Sequence, residues 1–251
     1  MESRNPFFKT KTFSNTSAAN ENVSVIDYSE TMTVSGTINK SFILLALLVG
    51  TALITWNLAF NGYNPIILTI GGAIVGLVLI LVSSFKPHLS SYLAPGYAAF
   101  EGLFVGGISA FFEASYPGLV IQAIGGTFVT FLVCFALYKY NIVKVNEKFK
   151  SVVVAATLAI GVYYLISWLL SMFTSFQPVH YGNSLMSIGI SVFVIVIAAL
   201  NLFLDFDNIE KGTQERMPKY MEWYSAMGLM VTLVWLYIEF LRLLSKLSSR
   251  D

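Results

Sequence analysis

Apolar residues fall along this chain in long blocks, with neither the strict alternation of a half-buried strand nor the narrow stripe of a surface helix. A bilayer core about 30 Å thick needs about 20 apolar residues per helix. On that ruler the blocks at about 41–60, 64–85, 93–113, 117–138, 151–173, 184–204 and 223–244 predict seven transmembrane helices. The connections are short, so the expected fold is an all-α membrane protein: one seven-transmembrane-helix bundle occupying 40–251. Gly72 and Gly76, and Gly102 and Gly106, stand at the four-residue spacing that lets helix backbones touch.

The stretch before the first block, 1–39, is polar and rich in Ser, Thr and Asn, with no compact apolar run beside basic residues. It reads as a disordered tail and not as a cleaved signal peptide. Its Asn5-Pro6-Phe7-Phe8 is a candidate for docking on the membrane surface or on a partner.

Composition agrees with the pattern. Hydrophobic residues make up 56% of the chain and charged residues only 12%, with a mean hydropathy of +0.70, so the lipid bilayer is the expected partner and nucleic acid is not. The single Cys134 sits in an apolar run and offers neither a disulfide framework nor a cysteine metal site. No His-Glu-x-x-His, Gly-x-Ser-x-Gly or paired metal motif occurs, so no catalytic residue and no cofactor are expected.

The basic residues set an orientation. Arg4, Lys9, Lys11 and Lys40 precede the first block, Lys86 follows the second, Lys139, Lys144, Lys148 and Lys150 follow the fourth, and Lys211, Arg216 and Lys219 follow the sixth. The connections near Asn61, Tyr116 and Pro178 hold no Lys or Arg. The tail and the even-numbered loops are therefore expected in the cytoplasm. Arg242, Lys246 and Arg250 break the alternation: either the seventh helix crosses and leaves a short basic end outside, or it re-enters and returns.

Acidic residues in such a chain need a reason, because a charge at membrane depth costs roughly 2.5 to 3.5 kcal/mol even on the lenient scale. Asp205 and Asp207 fall at the cytoplasmic end of the sixth helix, beside Lys211, with Lys86 and His88 as candidate counter-ions. Glu101 lies about 12 Å into the third helix by helical rise. Glu239 sits toward the outer end of the seventh, on one broad face with Thr232 and with Arg242, its candidate partner. Glu113 closes the third helix and, like Asp207 and Glu210, reads more simply as a solvated helix end. His180, in an outer loop, reads as a loop residue.

Tyr97-Ala98-Ala99-Phe100-Glu101-Gly102-Leu103-Phe104-Val105-Gly106-Gly107-Ile108-Ser109 resembles the third-helix signature of the Bax inhibitor family, the transmembrane Bax inhibitor motif proteins. Gln122-Ala123 followed by Gly126-Thr127-Phe128 resembles the family's fourth helix, and Leu204-Asp205 resembles the Tyr-Asp pair that ends its sixth. Asn5-Pro6 and Leu233-Val234-Trp235-Leu236-Tyr237-Ile238-Glu239 resemble a bacterial subgroup with a longer N-terminal region.

The resemblance implies a fold in which the last helix is central, a bacterial inner-membrane location, and a pH-sensitive calcium leak. It also implies a latch in which the Asp205 carboxyl shares a proton with a second acid on the seventh helix, a pair that titrates as a unit. Laid on the family without gaps, this sequence puts Thr232 at that second position; another register would bring Glu239 there, and Asp207 is a further substitute. Thr232 can hydrogen-bond but cannot ionise. The expected pathway is lined by Asp205, Glu101 and Glu239, with Asp205 and Glu101 the weak candidates for touching Ca2+ through oxygen. The rival expectation is a non-conducting regulator that binds another membrane protein, such as a membrane protease.

Overall fold

A computed structural model describes residues 30–174 and 177–250, which form seven long helices with no extended strand among them. They are α1 (Val34–Phe60), α2 (Ile66–Phe85), α3 (Ser90–Ser115), α4 (Leu119–Lys139), α5 (Glu147–Phe173), α6 (Leu185–Gln214) and α7 (Met221–Ser248). A single 3-10 turn, Pro87–Leu89, joins α2 to α3. The Asn5–Phe8 segment and Arg4, Lys9 and Lys11 lie outside the described residues.

Helix starts follow capping chemistry. Thr33 accepts the Gly36 amide at 3.0 Å to open α1, Asn146 accepts the Phe149 amide at 2.8 Å to open α5, and Ser184 accepts the Ser187 amide at 3.2 Å to open α6. The Thr33 cap places the start of α1 at Val34, so the polar residues 34–39, expected in the tail, are helical. At α4 the cap comes from another helix: Glu113 accepts the amides of Gly118 at 2.7 Å and Val120 at 3.1 Å. Glu113 is thus a capping residue for α4's free N–H groups, not merely a solvated end.

The sixth helix does not stop in acid at residue 204. It runs on through Asp205, Asp207 and Glu210 to Gln214, with Asp207 meeting two lysines and Glu210 a tyrosine hydroxyl.

Six of the seven helices are long and apolar enough to cross a membrane; α3 falls outside that set. Its stretch carries Glu101 and many small or polar residues, and ten of its residues are buried among its neighbours. α3 packs chiefly on α1 and α2, and also on α7. The contacts run through glycine: a Cβ on Gly102 would meet the Leu48 carbonyl, one on Gly106 the Ala52 carbonyl, and one on Gly72 the Phe100 carbonyl. α7 packs on α1, α3, α4 and α6, while α5 packs on α6.

The outer surface is itself apolar. Ile67 is 81% and Phe85 84% exposed, with Phe42, Leu53 and Val129 also outside, a distribution that fits lipid as solvent and not water.

Candidate functional site

Asp205 lies on α6 where it packs against α7. Across this seam the Thr232 hydroxyl is its hydrogen-bonding neighbour, and that hydroxyl lies 3.4 Å from the Gly228 carbonyl one turn earlier. The Asp205 Oδ2 oxygen is buried and has no hydrogen-bond partner among the described residues. Among the described residues Thr232, and not a second carboxyl, stands opposite Asp205, and Glu239 is engaged elsewhere.

Asp207, two residues on, has a different environment. Its Oδ2 is 2.7 Å from Lys150 Nζ and 2.9 Å from Lys211 Nζ, so this buried carboxylate lies between two ammonium groups. Glu210 accepts from the Tyr138 hydroxyl, which ties α4 to α6. Asp207 is therefore neutralised by cations on α5 and its own helix, and it is not a stand-in for the missing seventh-helix acid.

The counter-ions expected at this end are reassigned. Lys86 and His88 are exposed and make no ion pair with Asp205 or Asp207 among the described residues. α2 lies on α3, and the 3-10 turn between them packs on α7, so the α2–α3 junction that carries Lys86 and His88 is held chiefly by helices other than α6.

Glu101 is half-buried on α3, and its Oε2 projects at Gly76 of α2, where an added Cβ would come within 2.7 Å. Gly76 leaves the room that this carboxyl occupies. No ion pair to Glu101 occurs among the described residues.

Glu239 is 1% exposed, with Oε1 accepting from Arg242 Nη1 at 2.8 Å and from the Tyr164 hydroxyl at 3.4 Å. The Arg242 guanidinium lies over the Tyr164 ring, 5.5 Å from its centre. Glu239 Oε2 is buried without a partner among the described residues. Of the expected counter-ions, Arg242 is the one that meets its acid.

Arg242, the partner of Glu239, borders a cavity of about 510 Å³ at the end of the bundle where α3, α5 and α7 terminate, lined among others by Tyr116, Trp168, His180 and Lys246. His180 is more than a loop residue: its ring contacts Tyr163, Tyr164 and Tyr181. Burial, and then the charges of Arg242 and Lys246, push its pKa below the ordinary 6.5.

A second cavity, about 440 Å³, is an apolar crevice between α1, α3, α4 and α7. Its polar groups include Ser109 and Tyr237, bonded to each other at 2.7 Å, so it offers an ion no carboxylate. Among the described residues no group of three or more His, Cys, Asp or Glu could hold a metal ion, with or without Asp205 and Glu101.

One buried acid gave no signal in the pattern. Glu222, in the first turn of α7, is fully buried and accepts from the Thr33 amide and hydroxyl, each at 2.9 Å, and from Lys40. In a capping box the residue three after the cap returns its carboxylate to the cap's own amide. Here that residue is Gly36, where a Cβ would strike the Glu222 carboxylate, and the acid arrives from a helix 189 positions away. Its one trace in the sequence is the glycine at a position where Glu or Gln would close the box locally.

Residues 5–249 match the family described as Bax inhibitor 1 like. The chain belongs to the Bax inhibitor 1-like family. No individual curated protein matches it. Within this Bax inhibitor 1-like chain, Thr232 stands opposite Asp205 of the sixth helix, and Glu239 belongs to a separate polar site at the other end of α7.

Proposed function

We propose that the protein spans the membrane seven times with its N-terminus in the cytoplasm and its last helix at the centre, and that it passes cations, calcium among them, passively in a pH-sensitive way. The central role of α7 draws support from its burial, half of its most apolar window, and from its contacts with four other helices. The crossing of α3 draws support from its length of 26 residues and from its packing between apolar neighbours, which compensates its lower hydropathy. The reading is of a non-enzymatic protein without a resident cofactor.

The carrying observation is Asp205. A carboxyl at such a seam, with one oxygen buried and unpartnered beside a hydroxyl, must be compensated by a proton, water or a cation. Hard divalent cations take oxygen ligands of this type. Asp207 and Glu239 already have cationic partners, which leaves Asp205 and Glu101 as the acids open to a passing ion. The test is calcium efflux from liposomes reconstituted with the full chain. Asp205→Asn should cut the flux at least several-fold and flatten its pH dependence, and Glu101→Gln should reduce it; flux unchanged by both variants refutes the pathway.

The neutralisation of Asp207 and Glu239 favours a second reading, a non-conducting regulator that acts by binding another membrane protein. It predicts no flux from the wild-type chain at any pH, and loss of the cellular phenotype when 1–29, which precede the Thr33 cap of α1, are deleted.

A further inference from the structure

The basic residues after the seventh block break the charge alternation, and α7 gives two of them a location. The connections at this end of the bundle, 61–65, 116–118 and 174–184, contain no Lys or Arg. Arg242 and Lys246 stand one turn apart on α7 and both line the 510 Å³ basin. Two cations placed where the rest of the chain avoids them call for a negative counterpart.

Glu239 supplies only one negative charge. It is bonded to Arg242, whose side chain is 44% exposed and retains guanidinium donors beyond the one given to Glu239. Lys246 has no carboxylate within ion-pair distance among the described residues: its ammonium is held by the Ser191 hydroxyl at 2.7 Å and the Ser187 carbonyl at 3.2 Å, both neutral. Among the described residues, Arg242, Lys246 and the Glu239 paired with Arg242 therefore leave one positive charge in excess at the basin when His180 is neutral. The serines fix the ammonium in place, and the carbonyl end of α7 favours keeping a cation in its last turn.

The walls are aromatic. Tyr116, Tyr164 and Trp168 line the basin, and Trp168 is 54% exposed at its edge. Aromatic rings and basic side chains at the end of a membrane bundle are the elements that recognise the headgroup layer, rings at the apolar boundary and cations against phosphate.

We propose that this basin is an anion site for a phosphate group, with Arg242 and Lys246 as its ligands and Trp168 and Tyr116 as its walls, and that an anionic phospholipid headgroup supplies the phosphate. The site is independent of whether the bundle conducts.

The experiment uses the full chain in neutral detergent micelles, with the thermal unfolding midpoint followed as phosphatidylglycerol, phosphatidylcholine or inorganic phosphate is added. Phosphatidylglycerol should raise the midpoint saturably, and Lys246→Gln should weaken that apparent affinity about five-fold, the equivalent of one interfacial basic residue. Lys246→Arg should retain it, and Lys144→Gln, at the other end of the bundle, should leave it unchanged. A saturable effect of inorganic phosphate that Lys246→Gln weakens equally keeps the site and assigns a free anion as its ligand. If Lys246→Gln does not fold, quenching of Trp168 by a headgroup-spin-labelled phosphatidylglycerol, read as the difference from Trp168→Phe, decides in its place. The proposal is overturned by no response to either phosphate source, by a response that survives Lys246→Gln, by loss in Lys144→Gln instead, or by absent Trp168 quenching.

Discussion

Removing the cation that faces Glu222 tests how far one ion pair holds the starts of α1 and α7 together. In Lys40→Met the Glu222 carboxylate keeps the Thr33 amide and hydroxyl, each at 2.9 Å, but stays fully buried without a cation. The Lys40 side chain is only 16% exposed, so water cannot replace it without opening the contact. Breaking a buried pair from one side costs about 3 to 5 kcal/mol, and the ammonium's position 5.4 Å from the centre of the Trp223 ring adds about 0.5 to 1 kcal/mol. A cost of 3 kcal/mol is about two decades in the folding equilibrium. Glu222→Gln removes the buried charge and leaves an acceptor for Thr33, so Lys40→Met combined with Glu222→Gln should recover about 2 kcal/mol of the loss, within the range of contacting pairs. The assay is equilibrium unfolding of the full chain in mixed micelles with increasing dodecyl sulfate, run as a double-mutant cycle. A cost below about 1 kcal/mol for Lys40→Met, or costs that simply add, would refute the assignment of a buried, coupled pair.

Three further outcomes follow from close contacts and from charge. Gly106→Ala drives a Cβ into the Ala52 carbonyl and Cα, which are backbone and cannot rotate away; it should cost about 1 to 3 kcal/mol. Gly161→Ala, with nothing within 4 Å, should be neutral or stabilise by up to about 1 kcal/mol in the same unfolding assay. His180 has a folded-state pKa below its ordinary 6.5, set by burial first and then by Arg242 and Lys246. The unfolded chain therefore takes up the proton first, and stability present above pH 6.5 falls as the pH drops through 6.5, until the folded pKa is passed. Unfolding midpoints measured from pH 8 to pH 5 should show that decline in the wild type and a shallower one in His180→Gln; equal slopes would exclude His180 as the group responsible.

Much of the architecture follows from sequence alone because lipid as solvent imposes a simple rule: apolar residues outside, and about 20 of them per crossing. Six of the seven apolar blocks need nothing more. The third is the instructive one: α3 has the polarity of Glu101, Ser109 and many small residues, and its place depends on the glycines that let it touch Leu48 and Ala52 on α1. The family, too, was legible, since its motifs are strings of neighbouring residues.

The partners of the acids were not legible, because helix packing, and not sequence distance, selects them. Asp207 with Lys211 and Glu239 with Arg242 were visible as helical neighbours, at spacings of four and three. Lys150 reaches Asp207 because α5 packs on α6, whereas Lys86 and His88 stand at a junction held by α3 and α7. Thr232 meets Asp205 because α6 and α7 pack in one register. Glu222 looked like an ordinary charge at a helix start until folding brought it over Gly36. Lys246 looked like an exception to the charge rule until α7 set it into an aromatic basin. The sequence by itself determined which six segments are long and apolar enough to cross a bilayer, since that depends on composition over a helix length. Only the tertiary structure decided which acids are neutralised and by whom, since a charge pair forms over a few ångströms between residues that chain order leaves far apart.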